Sequence, residues 1–259
     1  MALWTWWNGN GLPQLKTSPD FRAGVEQDVD LLRRLTSLDA AEIRARLDGG
    51  HRAYVARIDE TPVAYGWVAS LGASIGELDL AVGLPGGDRY LWDFVTLPVW
   101  RGRGLYPRLL QAILASERGR AERFWIINAP EKRASAAGIA KAGFQPASEL
   151  SFLPDRGVGS LSPPAAERAR VGADLLGVPL LEAVQEGRVL SPCWRCVVAA
   201  KHGDAANATC WPYQDGVPFD SPIPVCLTPN RCRSIAAPTL ARSAAGGDSE
   251  PTPRSGRKD

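Results

Sequence analysis

The segment Arg101-Gly102-Arg103-Gly104-Leu105-Tyr106 separates an apolar stretch from a helical pattern and contains two glycines. Glycines at such a junction let successive backbone N–H groups face one concave surface. The amino end of the following helix adds partial positive charge to that surface. The turn is therefore suited to an anion of the size of a pyrophosphate. An ordinary tight turn with positive φ would need the same glycines.

Two nucleotide-binding motifs with similar glycines do not fit this segment. The dinucleotide motif Gly-x-Gly-x-x-Gly lacks its last glycine here, and the glycines follow several predicted antiparallel strands. The P-loop motif fails because no Gly-Lys-Ser or Gly-Lys-Thr ends the turn. A different phosphate-binding fold is therefore required if the turn is functional.

All five cysteines lie between residues 193 and 232. Cys193 and Cys196 enclose two residues, a spacing that presents two thiolates to one tetrahedral zinc ion. The first candidates for the remaining two zinc ligands are Cys226 and Cys232, and the alternatives are Cys210 and His202. A thiol or disulfide redox role and unligated cysteines stay open as alternatives.

The composition excludes a strong electrostatic preference. The chain has 259 residues, of which 45% are hydrophobic, and a formal net charge of +2. This balance gives no field toward nucleic acid or an anionic membrane. The first residues lack the basic and apolar segments of an export signal, and no apolar run reaches the length of a membrane span. We therefore expect a cytoplasmic protein with neither nucleic acid nor membrane as partner.

Apolar spacing predicts helices first and then a hairpin. Asp28–Leu47 carries the pattern of two short amphipathic helices, of which the second is capped by Ser37 or Asp39. Tyr54–Ile58 and Val63–Val68 are apolar runs around a short polar turn, which predicts a β-hairpin. A second strand pair is expected across Gly83–Gly87, with the arms Ile75–Val82 and Tyr90–Leu97.

The pattern after Leu97 changes to helical spacing. It predicts a helix that ends near Gly119, a strand buried on both faces at Phe124–Ile127, and a second helix at Lys132–Ala142 closed by Gly143. Strand, helix, strand, helix implies some parallel pairing, so the fold class is α/β with a mixed sheet.

Composition divides the chain into four parts. We expect one catalytic-type domain over 1–154, a linker with a helix over 155–190, a loop-rich cysteine appendage over 191–240, and a disordered tail over 241–259. The tail is rich in Gly, Ser, Pro and charged residues, which cannot bury enough apolar surface to fold.

The sequence resembles the GNAT (Gcn5-related) N-acetyltransferase family over about residues 20–153. The turn matches the signature Arg/Gln-x-x-Gly-x-Gly/Ala at Arg101 and Gly104, with the extra glycine at Gly102 and a preceding Pro98. The second helix ends in Lys141-Ala142-Gly143-Phe144, like the closing Lys-x-Gly-Phe of the family. The predicted order of elements also agrees.

The resemblance implies acetyl-coenzyme A as cosubstrate and assigns its binding residues. The turn, including Arg101 and Gly102, would hold the pyrophosphate through the backbone amides of Arg103, Gly104, Leu105 and Tyr106. Val95 and Leu97 would pair through their backbones with the pantetheine arm, and Ser135 retains a serine frequent in the second helix. Bulged N–H groups on the strand before the turn would polarise the thioester carbonyl, and positioning would supply much of the rate.

Three departures from the family pattern concern the turn and the second helix. Tyr106 stands at the third small position of the turn, and Pro107 has no N–H to donate. Lys132 replaces the asparagine of the second helix. The tyrosine that commonly protonates the leaving thiolate would fall at Ile139. The general acid is therefore not where the family usually keeps it.

Several side chains near the proposed active strand could act as acid or base, and each also has a possible structural role. Asp93 could accept a proton from a substrate ammonium, or be a solvated or paired strand carboxylate. Glu77, on the neighbouring strand, is a weaker candidate of the same kind. Tyr106 could donate to the thiolate, or pack at the helix start. His51 is expected on the surface. Five aromatic residues could line an acceptor pocket or pack in the core, namely Tyr65, Trp67, Trp92, Trp100 and Trp125.

The sequence thus predicts transfer of an acetyl or short acyl group from acetyl-coenzyme A to a primary amine. The acceptor would be a small molecule or a peptide, and fold does not choose between them. The rival function is a non-catalytic acyl-coenzyme A sensor with a zinc knuckle, and the absence of a tyrosine at Ile139 favours it.

Overall fold

A computed structural model describes residues 1–129, 131–153, 157–162 and 166–182, together with short strands at 213–214 and 217–218. Its helices are α1 (Val29–Leu35), α2 (Ala40–Asp48), α3 (Leu105–Glu117), α4 (Arg133–Lys141) and α5 (Glu167–Leu176). Its strands are β1 (Ala2–Trp7), β2 (Phe21–Glu26), β3 (His51–Ile58), β4 (Thr61–Ala69), β5 (Gly72–Ile75), β6 (Leu80–Gly83), β7 (Asp88–Thr96), β8 (Arg123–Asn128), β9 (Gln145–Leu153), β10 (Gly157–Ser162), β11 (Leu180–Glu182), β12 (Tyr213–Gln214) and β13 (Val217–Pro218). A 3-10 helix, Pro98–Trp100, follows β7.

Nine strands form one mixed sheet in the order β11-β10-β9-β1-β8-β7-β4-β3-β2. The pairs β7–β8 and β10–β11 are parallel, and the other neighbours are antiparallel. The predicted α/β class with a mixed sheet is therefore confirmed. The sheet continues past residue 154 through β10 and β11, and α5 packs against it through the buried Ala169, Ala173 and Leu176.

The first strand lies in the middle of the sheet. β1 pairs antiparallel with both β8 and β9. Its side chains alternate between the two faces, since Leu3 and Trp6 are both buried but belong to different core clusters. A strand covered on both faces reads as nearly continuous apolar sequence, which explains the tryptophans at this end of the chain.

One predicted strand pairing is wrong. The arms around Gly83–Gly87 do not pair with each other, because β6 pairs with β5 while β7 pairs with β4 and β8. The first four residues of β7 are all buried, and β6 exposes alternate residues. β7 is therefore a central strand, and β5–β6 forms a separate hairpin beside it.

Helices cover both faces of the sheet. On one face, α3 and α4 bury Leu109, Leu110 and Ile113 and Ile139 with the core cluster of Tyr54. On the other face, Leu32 of α1 and Ile43 of α2 pack over Val55, Tyr65 and Trp67. Because successive strand residues point to opposite faces, this division follows from the alternation along β3 and β4.

The predicted helices agree with the structure at their ends as well. α1 and α2 are the two short helices predicted within Asp28–Leu47, and Asp39 rather than Ser37 caps α2 by accepting a 2.8 Å hydrogen bond from the Glu42 amide. The hairpin β3–β4, the helix α3, the strand β8 and the helix α4 all lie where the sequence predicts them. None of the described helices is long and apolar enough to cross a membrane.

Candidate active site

The two central parallel strands part halfway along their length. β7 and β8 are paired from Asp88 with Arg123 to Leu91 with Ile126. β7 then continues to Thr96 while no further pairs with β8 form. The unpaired edge of β7 beyond Leu91 therefore borders a gap, and such a crevice at the carboxyl ends of parallel strands is where α/β proteins bind ligands.

A β-bulge lies at the point where β7 leaves β8. Trp67 is opposite Trp92 and Tyr65 is opposite Val95, so Gly66 faces two residues of β7, Asp93 and Phe94. Asp93 has a φ of 51°, in the left-handed region that few residues other than glycine adopt. A bulge of this kind bends its strand and redirects the backbone groups that follow.

Gly66 is required by the ring of Phe94. A Cβ atom at position 66 would lie 2.1 Å from Cε1 of Phe94, which is far inside van der Waals contact. The ring crosses β4 at this point and packs against Tyr106, with ring centres 5.5 Å apart. A glycine within a strand often marks a bulge or a close approach, and this one marks both.

The glycine turn has the geometry of an anion-binding nest. Gly102 and Gly104 have φ of 77° and 68°, and no heavy atom lies within 4 Å of a Cβ position at Gly102. Gly104 is the N-cap of α3 and has no side chain with which to cap the helix. The N–H groups of Leu105 and Tyr106, in the first turn, have no partner within the helix, while Pro107 has no N–H.

Three arginines surround this turn. Nε of Arg101 donates to the carbonyl oxygen of Thr96 at 3.1 Å, which ties the turn to the end of β7. The guanidinium of Arg108 donates to the carbonyl oxygens of Gly104 at 2.6 Å and Lys16 at 2.6 Å. Arg103 lies 4.6 Å over the ring of Trp100. The positive charge of these side chains adds to that of the α3 amino end.

The backbone of β7 presents alternate residues to the gap. The N–H of Leu97 donates to the Val63 oxygen at 2.9 Å, so it faces β4. Val95 lies two residues before Leu97 and is paired with Tyr65 of β4. In an antiparallel pair, every second residue directs both its N–H and its C=O toward the same neighbouring strand, so the backbone groups of Val95 also face β4. The backbone groups of the intervening residues, Phe94 and Thr96, therefore face away from β4.

Tyr106 lies between α3 and α4. A Cβ atom at Gly138 would be 2.5 Å from Cδ1 of Tyr106, so the ring occupies the space that a side chain would take. The phenol forms a hydrogen bond with the side chain of Ser135. Burial raises the pKa of Tyr106 to about 12, although the Ser135 hydrogen bond acts in the opposite direction. The neighbouring Ile139 is fully buried in the core and contributes no polar group.

Asp93 is paired with a cation. Its carboxylate accepts a 2.7 Å hydrogen bond from Arg46 of α2. Arg46 also forms an ion pair of 2.9 Å with Glu42, and its guanidinium lies 4.4 Å from the ring centre of Trp92. The sequence left open whether Asp93 is a base or a solvated or paired carboxylate, and in the structure it is a paired carboxylate.

Other candidates lie away from the gap. Glu77 is exposed in the turn between β5 and β6, not on a strand. His51 begins β3 and is partly buried against Trp92, with ring centres 5.3 Å apart, so the expected surface position is wrong. Burial and, to a smaller extent, Arg46 lower the pKa of His51. Tyr65, Trp67 and Trp125 belong to the core, as packing alone would require. They are 7%, 0% and 0% exposed.

Sequence reasoning missed several residues around the gap, namely Arg46, Gly66, Phe94, Asn128 and Gly138. Asn128 ends β8 and is buried, with its Oδ1 accepting a 2.6 Å hydrogen bond from the Trp4 indole. A polar residue that ends an apolar run was a signal for Asn128, and glycine inside a strand was a signal for the bulge. Arg46 had no local signal, because its partner is 47 residues away.

The predicted zinc site lies outside the described residues, since all five cysteines are at position 193 or beyond. Among the described ranges, no group of three or more His, Cys, Asp or Glu side chains could hold a metal ion. Cys193, Cys196, Cys226 and Cys232 therefore remain a prediction from spacing.

A glycine turn at a helix start, beside a gap between two parallel strands, defines an α/β domain suited to a phosphate-bearing ligand. Residues 19–144 match the family model of the acetyltransferase (GNAT) family. Residues 19–144 are therefore a GNAT acetyltransferase domain, and this family uses acetyl-coenzyme A, as the resemblance of the turn and of the second helix implied.

Solved structures with a similar fold carry the same family name. A GCN5-related N-acetyltransferase from Kribbella flavida is 17% identical over 56% of this chain and 53% of its own, with a TM-score of 0.39. A GNAT-family structure from Novosphingobium aromaticivorans is 19% identical over 56% and 59%, with a TM-score of 0.40. This chain thus covers less than two thirds of either protein.

A third structure is of an acetyltransferase from Salmonella typhimurium that modifies the N-terminal serine of a ribosomal protein. It is 14% identical over 53% of this chain and 87% of its own, with a TM-score of 0.40. A search of curated proteins gave no match. The family assignment depends on the match over residues 19–144 and not on these structures.

Proposed function

We propose that this protein transfers an acetyl group, or another short acyl group, from acetyl-coenzyme A to a primary amine. The observation that carries the proposal is the juxtaposition of three features on one strand and the helix after it. β7 parts from β8, carries a bulge at Asp93, and ends beside the glycine turn of α3. A phosphate-binding turn alone would suit many ligands. The adjacent bulge supplies polar backbone groups for a reacting carbonyl.

The turn fits the pyrophosphate of the cosubstrate. Positive φ at Gly102 and Gly104 and the uncapped start of α3 leave backbone N–H groups free to bind oxyanions. Leu105 and Tyr106 would donate, with Arg103 and Gly104 of the turn, and Arg101 and Arg108 would add charge. Pro107 removes one donor, so we expect binding that relies more on the arginines than the family pattern implies.

The backbone groups that face the gap would bind the pantetheine arm and polarise the acyl carbonyl. The resemblance assigned the pantetheine arm to Val95 and Leu97. Because Leu97 bonds to Val63 and Val95 shares its orientation, we transfer this role to Phe94 and Thr96. N–H groups fixed at a bulge stabilise a developing oxyanion without reorganisation, which is where most of the rate would come from.

Acetyl-coenzyme A supplies a thioester whose acyl carbon accepts the amine nitrogen. A C–N bond forms, the C–S bond breaks, coenzyme A leaves as a thiolate, and the proton lost by the amine passes to water or to that thiolate, which gives an amide and the free thiol. The positioned backbone of β7 would hold the acyl carbon beside the incoming amine. Asp93 was the candidate base. Its Oδ2 atom is already bound by Arg46 at 2.7 Å, so the carboxylate is engaged in a structural contact.

Tyr106 remains the candidate proton donor, with a role that its environment limits. A pKa of about 12 keeps the phenol protonated at neutral pH. A thiol has a pKa of about 8.5, so full transfer from this phenol to a thiolate is uphill. We propose that Tyr106 donates a hydrogen bond to the sulfur as negative charge develops, and that Ser135 orients the phenol.

The acceptor is proposed to be a small-molecule or peptide amine. One similar structure is an aminoglycoside acetyltransferase from a soil metagenomic sample, which is 11% identical, and another modifies a protein N-terminus. Those names describe those proteins. For this chain, Trp92, Glu42 and Asp93 all contact Arg46, so they are the side chains that an amine approaching the bulge from α2 would meet.

A second candidate function is a non-catalytic acyl-coenzyme A sensor. Ile139 favours it, because the fully buried isoleucine cannot serve as the acid of the family. The two functions separate in one experiment with the full chain. Thiol release from acetyl-coenzyme A is followed over a panel of small amines and peptides, next to thermal melts. Release above the hydrolysis rate supports transfer, whereas a thermal shift with no release on any amine supports the sensor.

A further inference from the structure

A single side chain of α2 binds the bulge of β7. Nη1 of Arg46 donates to Oδ2 of Asp93 at 2.7 Å, and Nη2 donates to Oε1 of Glu42 at 2.9 Å. The guanidinium carbon lies 4.4 Å from the ring centre of Trp92 and 5.1 Å from that of Trp67. Two carboxylates and two indole rings therefore surround one cation.

The helix that carries this cation is firmly attached. Asp39 caps α2 through the Glu42 amide, and Ile43 is fully buried beneath the helix. The Arg46 side chain is only 15% exposed, and the Asp93 side chain 32%. Ion pairs at exposed positions contribute little to stability. Partial shielding from water and the indole contacts of the cation strengthen the pair between Arg46 and Asp93.

The residue that Arg46 binds is the strained residue of the bulge. A left-handed conformation is unfavourable for residues other than glycine, although aspartate tolerates it better than most. If Asp93 relaxed to an extended conformation, the extra residue would leave the bulge and the pairing beyond it would shift by one. Such a shift reverses which face each following residue presents. Phe94 and Thr96 would then no longer direct their backbone groups toward the gap.

The bulge is held from the opposite face as well. The ring of Phe94 fills the space over Gly66 and packs against Tyr106. The two contacts differ in kind, because an aromatic ring can shift while remaining packed, whereas the ion pair fixes Asp93 in direction. Arg46 therefore binds Asp93 directly, while Gly66 and Tyr106 hold the residue that follows it.

We infer that Arg46 is a positioning residue, which acts through Asp93 to hold the β7 bulge in the conformation that presents the backbone of Phe94 and Thr96 to the acyl group. The inference rests on the proposed function, since it takes the gap as the acyl-binding site. Asp93 is then an anchor for the bulge and not the base. Arg46 of α2 thereby contributes to the acyl-binding edge of β7 without touching the glycine turn.

The first test measures the bulge without any ligand. Amide hydrogen exchange over residues 91–97 is compared in the wild type, Arg46→Ala and Arg44→Ala. Arg44 is exposed on the same helix and serves as the matched control. We expect exchange at least about tenfold faster in Arg46→Ala, because the local opening free energy falls by about 1.4 kcal/mol or more, and no change in Arg44→Ala. Unchanged exchange in Arg46→Ala overturns the inference, whether or not the protein is an enzyme.

The second test uses rescue. With the best amine of the panel, Arg46→Ala should lower kcat by about 10–100-fold, with a smaller change in the KM for acetyl-coenzyme A, and Arg46→Lys should retain most of the activity. Adding Asp93→Gly to Arg46→Ala should restore part of kcat, because glycine adopts positive φ without strain. If Asp93 is the base, the double variant will instead be slower than Arg46→Ala, and the inference fails. If the wild type transfers no acyl group, the proposed function fails while the exchange experiment still decides the role of Arg46.

Discussion

The glycine turn at 101–106 and the bulge at Asp93 and Phe94 flank the end of the same strand, and they are held by different means. The turn needs residue types that permit positive φ, and Gly102 and Gly104 supply them at the positions concerned. The bulge puts an aspartate at positive φ and relies on Arg46, Gly66 and Tyr106, which come from three other elements. One conformation is therefore specified locally and the other by tertiary contacts.

This difference has consequences for function. A turn specified by glycines keeps its shape when its surroundings change, which suits the binding of a phosphate group. A bulge specified by contacts responds to every element that touches it, so α2 and β4 both influence the acyl-binding edge of β7. We therefore expect substitutions at the turn to remove binding and substitutions around the bulge to reduce turnover.

The largest effect is expected at the turn. Gly104 has a φ of 68°, and a β-branched side chain there is strained and would stand beside the first N–H groups of α3. Gly104→Val should abolish the rise in melting temperature that acetyl-coenzyme A gives to the wild type, which follows RT ln(1 + [L]/Kd). Gly119→Val is the matched control, because Gly119 is exposed with open space around it and without positive φ. A full ligand shift in Gly104→Val would mean that the turn does not bind the phosphates.

The next effect concerns the space over Gly66. A methyl group there would lie 2.1 Å from the Phe94 ring, so Gly66→Ala should destabilise the fold by about 1–3 kcal/mol through overpacking and lower kcat further by displacing the bulge. Urea unfolding and steady-state kinetics measure the two. Combining Gly66→Ala with Phe94→Ala should recover stability but not kcat. Recovery of both would show that Phe94 matters only for packing.

The sequence predicted what local chemistry determines. The glycine turn, the cap of α2, the helix α3 and the buried strand β8 each depend on residues within a few positions of one another. β1 was not predicted, because three tryptophans beside each other do not indicate which strands they join. The partner of β7 was predicted wrongly for the same reason, since strand neighbours are chosen by the whole sheet.

The site divides in the same way. Gly102 and Gly104 could be identified from spacing, and Tyr106 could be identified as an irregular residue at a small position. That Gly138 makes room for the Tyr106 ring follows only from the packing of α3 against α4. The bond between Arg46 and Asp93 likewise depends on how α2 lies on the sheet, which no local pattern reveals.

A smaller effect is expected at Tyr106. Tyr106→Phe keeps the ring against Gly138 and Phe94 but removes the hydroxyl that bonds Ser135. We expect kcat to fall by about tenfold, which corresponds to about 1.4 kcal/mol, with acetyl-coenzyme A binding retained. Ser135→Ala, which leaves the phenol in place, should have a smaller effect on kcat. An unchanged kcat in Tyr106→Phe would reduce Tyr106 to a packing residue.

The smallest effect concerns His51, which touches Trp92 beside the bulge. Burial and, to a smaller extent, Arg46 lower its pKa from the ordinary value of 6.5, so the unfolded chain binds the proton more readily than the folded protein. The stability from the neutral ring is therefore present above pH 6.5 and is lost as the pH falls below that value. His51→Phe retains an aromatic contact with Trp92 and should weaken the loss of stability between pH 7 and 5 in urea unfolding.

The Met1 amino group, whose pKa burial lowers to about 6, titrates in the same range, so the variant must be compared with the wild type at each pH. An equal loss in His51→Phe and the wild type would show that the ring beside Trp92 is not desolvated, and that the α2 face of the bulge is open to water.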